Sequence, residues 1–163
     1  MIGYPIGSSG QTLQFDDVVL EHFWRRRQRR PWAAEAGGQL FGRVDGAVIS
    51  VTEATGPRPS DIRTPWSYQP CRADEQAEID ERHRAGLIFL GDWHTHWQRR
   101  PRPSGQDRAN VGDIVRRSRH GMNGLVLVIA GFVRAPSGLY VAVADDLDLH
   151  ELTPIPAKTP VSI

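Results

Sequence analysis

The sequence predicts a mixed α/β domain, a sheet flanked by helices, and three observations carry that reading. Helical patterns are interspersed with strands that are mostly neighbours in sequence, a hairpin signal lies near the start, and an apolar run, Leu87 to Leu90, leads straight into a polar segment holding two histidines. A pure parallel sheet would not contain the hairpin.

In order, Leu13 and Phe15 read as a short strand after a Gly/Ser-rich start. Asp16 or Asp17 can cap a helix carrying Val18, Val19, Leu20, Phe23 and Trp24, which Pro31 closes. Gly38 to Val44 and Ala47 to Thr55 read as two strands joined at Asp45-Gly46, a dipeptide suited to the positive φ angles of a type I′ turn. The proline-rich stretch from Gly56 to Pro70 reads as irregular loop, and Asp74 can cap a polar helix to about Ala85. Leu87 to Leu90 is expected to be a buried central strand. Trp97 to Pro103 is a loop, and Ser104 starts a helix through Val111, Ile114 and Val115 that Gly121 ends. Leu125 to Phe132 and Leu139 to Ala144 are apolar strands joined by the turn Arg134 to Gly138, and the residues around Pro154, Pro156 and Pro160 read as a loose tail.

A composition of 39% hydrophobic and 24% charged residues is that of a globular chain, which excludes wholesale disorder and collagen-like repetition. The longest apolar run, Leu125 to Ala130, is too short to span a bilayer. The first residues carry neither a basic leader nor a long apolar stretch, and Cys71 has no partner for a disulfide, so a cytoplasmic protein with no membrane partner is expected. Segment Gly37 to Gly42 lacks the spacing and the Lys-Ser/Thr ending of a phosphate loop, which disfavours nucleotide chemistry.

The candidate chemistry lies after the central strand. Residues two apart on a strand share a face, so His94 and His96 can aim both imidazoles at one ion. Asp107, in the first turn of the next helix, can supply a carboxylate if the loop folds back. Two His, one carboxylate and an open position make a hydrolytic zinc site, whereas the plainer alternative is a polar strand end followed by a capped helix start.

His94-Thr95-His96, followed through Pro103-Ser104 to Asp107, resembles the H-[S/T]-H-P-x5-P-S-x2-D signature of JAMM/MPN+ (JAB) metallopeptidases, and every spacing agrees. Upstream, Glu35-Ala36-Gly37-Gly38-Gln39-Leu40-Phe41-Gly42 is similar to the family's Glu followed by a Gly-Gly-x-Leu-x-Gly strand. The passage Leu90 to Trp93 looks like the bacterial stand-alone branch. The resemblance covers roughly residues 11 to 145, and Trp97 stands where the family usually has Pro. It implies an MPN/JAB fold of cytidine-deaminase-like architecture, a single catalytic domain over residues 1–145 and a Pro-rich tail over residues 146–163.

By the same resemblance, His94, His96 and Asp107 would hold Zn²⁺, Glu35 would act as general acid/base on a water, and Ser104 would donate a hydrogen bond to the oxyanion. The implied activity is a zinc isopeptidase or peptidase cutting after the C-terminus of a ubiquitin-like or similarly conjugated protein. Such enzymes of antiphage operons work beside ubiquitin-conjugation-like enzymes, which are then implied partners. A peptidase processing sulfur-carrier proteins and a non-catalytic MPN-like interaction module are the alternatives.

Other features add less. Arg25 to Arg30 and Arg99, Arg100 and Arg102 are basic clusters, but acidic neighbours, a net charge of +1 and the helix dipole argue against nucleic acid as a partner. An acidic partner surface or plain solvation suits the second cluster better. His22, His83, His120, His150 and Cys71 read as packing or surface residues. Asp92 shares a strand face with the two histidines and could orient an imidazole.

Overall fold

The computed structural model describes residues 1–117 and 123–155. The expected helix end at Gly121, His120, and residues 156–163 of the expected tail lie outside them. The strands are β1 (Ile2–Pro5), β2 (Thr12–Phe15), β3 (Gly37–Asp45), β4 (Val48–Ala54), β5 (Ile62–Thr64), β6 (Ser67–Gln69), β7 (Ile88–Thr95), β8 (Leu125–Ala130), β9 (Leu139–Ala144) and β10 (Leu149–Glu151). The helices are α1 (Asp17–Arg26), α2 (Arg72–Arg84) and α3 (Gly105–Arg117). The main sheet runs β1-β2-β4-β3-β7-β8-β9-β10, and β5 and β6 form a separate small sheet. β2 pairs with β4, and β7 with β8, in parallel; the other pairs are antiparallel. The mixed α/β reading therefore holds.

One face of the sheet is covered by α1, whose Val19 and Phe23 pack with Leu13, Phe15, Val51 and Trp93. The other face buries Val111 and Val115 of α3 against Leu125, Leu127 and Ile129 of β8. These apolar contacts explain why amphipathic α1 and α3 form where the periodicity puts them. α2 has no fully buried residue, and ionic contacts fix it instead. Glu78 accepts from Thr55 Oγ1 at 2.7 Å and from Arg58 Nε at 2.9 Å, while Arg82 pairs with Glu53.

Several local expectations need correction. The hairpin loop is Gly46-Ala47, with Asp45 opposite Val48, and among the described residues only glycines have positive φ. With Gly46 at +57° in the first central position, the turn has the φ pattern of type II′ rather than I′. α1 ends at Arg26, before Pro31, and α2 starts at Arg72, so Asp74 sits in its first turn instead of capping it. The stretch Gly56 to Pro70 is not wholly irregular. Asp61 accepts from the Arg58 N–H at 2.8 Å, the Tyr68 hydroxyl at 2.9 Å and the Cys71 N–H at 3.0 Å, and this brings β5 and β6 together. Ile2–Pro5 adds an edge strand beside β2, and Leu149–Glu151 pairs with β9, so the sheet extends past residue 145.

A bulge decides which way the central strand points its side chains. Leu40 faces Gly91 while Phe41 faces Phe89, so Leu90 is the extra residue on β7. Leu90 and Trp93, an odd number of positions apart, consequently share one core, and the polar side chains at 92, 94 and 96 are turned to the other face. Gly91 permits this with a φ of +148°, and a Cβ there would lie 1.9 Å from the Val126 carbonyl oxygen. Gly91→Ala is expected to lower the free energy of unfolding by about 3 kcal/mol or more, since overpacking and a strained φ add together. Urea denaturation monitored by tryptophan fluorescence checks this; a change under about 0.5 kcal/mol, the range of ordinary surface substitutions, would contradict the account.

Candidate active site

β7 is hydrogen-bonded on both sides, antiparallel to β3 and parallel to β8, with His94 opposite Gly37 and Ile129. His96 continues the register just beyond the strand, its N–H donating to the Ala130 carbonyl at 3.0 Å. Both imidazoles thus project from a backbone that cannot slip. Trp97 turns away and stacks on Phe132, ring centroids 4.4 Å apart, so the residue in the family's usual proline position packs while staying partly exposed.

The loop to α3 then brings a carboxylate back. Ser104 and Asp107 exchange hydrogen bonds at the helix start: the Asp107 N–H donates to Ser104 Oγ at 3.1 Å, and the Ser104 N–H donates to Asp107 Oδ2 at 2.7 Å. This is a capping box with Asp at the third position, and it aims the carboxylate back over the helix end. Asp107 Oδ1 lies 3.2 Å from His94 Nε2, Oδ2 lies 3.2 Å from His96 Nε2, and the two Nε2 atoms are 3.2 Å apart. Ligands on a tetrahedral ion with bonds of about 2.0–2.1 Å stand about 3.3 Å from one another, so the three residues fit such an ion closely. His94, His96 and Asp107 are together the group able to hold a metal among the described residues.

Glu35 completes the cluster from β3's side. Its Oε1 is 3.8 Å from His96 Nε2, and the residue is 6% exposed. The segment carrying it is clipped to the central strand: Ala36 N–H donates to Thr95 Oγ1 at 2.9 Å, and Thr95 N–H donates to the Ala36 carbonyl at 2.8 Å. Fully buried Gln28 ties the surrounding loops, its Nε2 donating to the carbonyls of Ala33 at 2.8 Å and Pro65 at 3.2 Å, while its Oε1 accepts from Thr95 Oγ1 at 3.3 Å. On the outer side, Glu35 N–H donates to Thr64 of β5 at 2.8 Å, and Arg63 Nε donates to the Glu35 carbonyl at 2.6 Å.

The electrostatics follow from this crowding. Burial pushes the Glu35 carboxyl up to about 7, with His96 opposing and Asp107 reinforcing the shift. Burial also acts against the Asp107 carboxylate, yet hydrogen bonds from both imidazoles hold it far below the usual carboxylate range. Burial alone would lower His96, but its hydrogen bond to Asp107 and the nearby acidic charges raise it.

Glu35, His94, His96, Ser104 and Asp107 therefore meet as a group. Asp92 does not join it. Its buried Oδ1 has no hydrogen-bond partner among the described residues, and the charges acting on it are those of Glu75, Arg58 and Arg72. Burial pushes that carboxyl up to about 8. Sequence reasoning missed Gln28 and Thr95, which place Glu35; the one signal was an uncharged residue inside the run Arg25 to Arg30. It also missed Gln98, whose Oε1 lies 3.3 Å from His96 Nδ1. An open groove of about 1460 Å³ at the opposite end of the sheet, bordered by Ile49, Ile79, Ile88 and Val126, contains none of these residues.

Two imidazoles and a carboxylate converging on one point beside a buried carboxyl, on a mixed α/β sheet, define the class of proteins with an open metal-capable site. The chain belongs to the family of prokaryotic homologs of the JAB domain, which matches residues 17–145. It is 30% identical over 132 residues to a CD-NTase/cGAS isopeptidase of Pseudomonas aeruginosa, covering 79% of this chain and 84% of that protein. A CD-NTase/cGAS isopeptidase of Vibrio cholerae is 33% identical over 103 residues, 56% of this chain and 63% of its own length. A probable metalloprotease of Sinorhizobium fredii is 37% identical over 87 residues, 50% of this chain and 53% of its own length. The chain thus spans less than two thirds of the latter two. In fold, it is similar to a solution structure of a Desulfitobacterium hafniense protein, with a TM-score of 0.58 and 19% identity over 85% of this chain and 88% of that one. No helix among the described residues is long and apolar enough to cross a membrane.

Thr95→Val tests how the Glu35 segment is held. The substitution keeps the shape of a fully buried side chain but strands the Ala36 N–H, so unfolding free energy should fall by about 1–3 kcal/mol. Chemical denaturation checks this, and an unchanged midpoint would show that the clip contributes nothing.

Proposed function

We propose that the chain is a zinc-dependent isopeptidase or peptidase that hydrolyses the bond after the C-terminus of a ubiquitin-like or similarly conjugated protein. The observation that carries this reading is that His94 Nε2 and His96 Nε2 lie 3.2 Å apart, each 3.2 Å from one carboxylate oxygen of Asp107, with buried Glu35 3.8 Å from His96 Nε2. The names of the relatives support the same class, since an isopeptidase acts on a protein substrate. They also support, as the first conjugate to test, one formed on an enzyme of the CD-NTase/cGAS type.

When bound, zinc would supply Lewis-acid chemistry, polarising the scissile carbonyl and making a water nucleophilic near neutral pH. Glu35 takes the proton that the attacking water gives up and returns it to the leaving nitrogen, a role supported by its Oε1 standing 3.8 Å from His96 Nε2. Ser104 Oγ accepts the Asp107 N–H, so its own hydrogen remains free to donate to the carbonyl oxygen as that atom gains charge. The helix-cap and oxyanion roles of Ser104 are thereby compatible. A non-catalytic interaction module has no physical need for a buried carboxyl beside two imidazoles and a second carboxylate that converge.

Protein purified without added metal should contain one zinc per chain by elemental analysis, and chelation should abolish cleavage that zinc restores. Zinc that neither copurifies nor rebinds would remove the proposal. Glu35→Gln should keep fold and metal yet lose cleavage of an authentic conjugate; wild-type turnover in that variant would assign the proton transfer elsewhere.

Ser104→Ala should keep the metal and lower turnover about 10²-fold, as for loss of one oxyanion donor. The same substitution should cost about 1 kcal/mol of stability through the lost cap. Loss of stability with full turnover would confine Ser104 to capping.

A further inference from the structure

We infer that Gln98 is a positioning residue for the candidate metal centre, its side-chain oxygen accepting from Nδ1 of the His96 imidazole and so orienting the ring with Nε2 toward His94 and Asp107. The inference rests on the reading of His94, His96 and Asp107 as metal ligands, and it adds to that reading a residue outside the family-like motif.

The two ends of a glutamine amide look alike in shape, so their identity has to come from their partners. Here the backbone N–H of Arg102 lies 2.9 Å from the Gln98 side-chain atom Oε1, and an N–H can only be accepted by oxygen. That same oxygen is 3.3 Å from His96 Nδ1. An oxygen without hydrogen cannot donate, so this contact is Nδ1–H donating to Gln98. Asp107 Oδ2 is likewise an acceptor, 3.2 Å from His96 Nε2, so a metal taking the place of the proton on Nε2 would leave Nδ1–H as the ring's one donor, with Gln98 Oε1 as its partner.

The backbone of Gln98 is held as firmly as its side chain. Its N–H donates to the His96 carbonyl at 2.9 Å, and its own carbonyl accepts from Phe132 N–H at 3.1 Å. Gly131 makes that approach possible, because a Cβ there would lie 2.2 Å from the Gln98 carbonyl oxygen. Stacked Trp97 and Phe132 close the arrangement from outside. The basic loop at Arg99, Arg100 and Arg102 thus contributes something distinct from charge: one backbone N–H that orients the amide that orients the ligand.

The experiment compares wild type with Gln98→Leu, which keeps bulk but removes the acceptor, and Gln98→Glu, which restores an oxygen. In Gln98→Leu, zinc affinity measured against a competing chelator should weaken about 10–100-fold, with Gln98→Glu returning close to wild type. Gln98→Leu binding zinc within twofold of wild type, or Gln98→Glu recovering none of the lost affinity, would overturn the inference. Should the wild type bind no zinc at all, the metal-site reading fails and this inference, which rests on it, falls with it, whereas zinc binding unaffected by the substitution overturns this inference alone.

Discussion

The site depends above all on the exchange of hydrogen bonds between Ser104 and Asp107 at the start of α3. A capping box ordinarily serves to satisfy orphan N–H groups at a helix end. Here its acidic member also turns one oxygen towards each imidazole, and Oδ2 is shared between the Ser104 N–H and His96 Nε2. The position of the carboxylate is therefore set by the geometry of the helix terminus rather than by a flexible loop. Since α3 is anchored by Val111 and Val115 in the sheet's second core, packing far from the site fixes where its acid points.

Much of this was legible in the sequence because it rests on local patterns. The apolar run Leu87 to Leu90 followed by His94-Thr95-His96, and the Ser104-to-Asp107 spacing, each follow from periodicity or capping within a few residues. What was not legible depends on contacts between distant segments. Ile2–Pro5 carries Gly3 and Pro5 and Ile62–Thr64 is three residues long, and they become strands only because β2 and the Asp61 hydrogen bonds offer partners. The bulge at Leu90 is invisible to a period-two reading, yet it decides which face the histidines occupy. Assigning Asp92 to an imidazole failed for a related reason: sharing a strand face gives proximity in projection, and α2 supplied nearer charges.

Gln28 shows the same limit from the other side. Surrounded by arginines, it reads as one more solvated residue at a helix end, but it is fully buried and serves three backbone or side-chain partners. A buried amide with its donors and acceptor satisfied specifies a single arrangement of the loops around it, because any other leaves polar atoms unpaired in a dry environment. The arginine run itself stays mostly exposed, with Arg27 stacked on Trp24 and Arg25 paired with Glu21 on the surface.

Glu35 is attached on two sides of very different strength. Through Ala36 and Thr95 it belongs to the centre of the eight-stranded sheet, whereas through its N–H and carbonyl it is joined to β5, half of a two-stranded sheet with three-residue strands. So small a sheet is marginal by itself and opens more readily than a central strand. The paired histidines and the carboxyl beside them consequently sit on opposite sides of a boundary in local stability. A fluctuation that frees the hairpin alters the surroundings of Glu35 while the imidazoles stay in register, so this carboxyl can be reached or released by a motion that leaves His94, His96 and Asp107 in place.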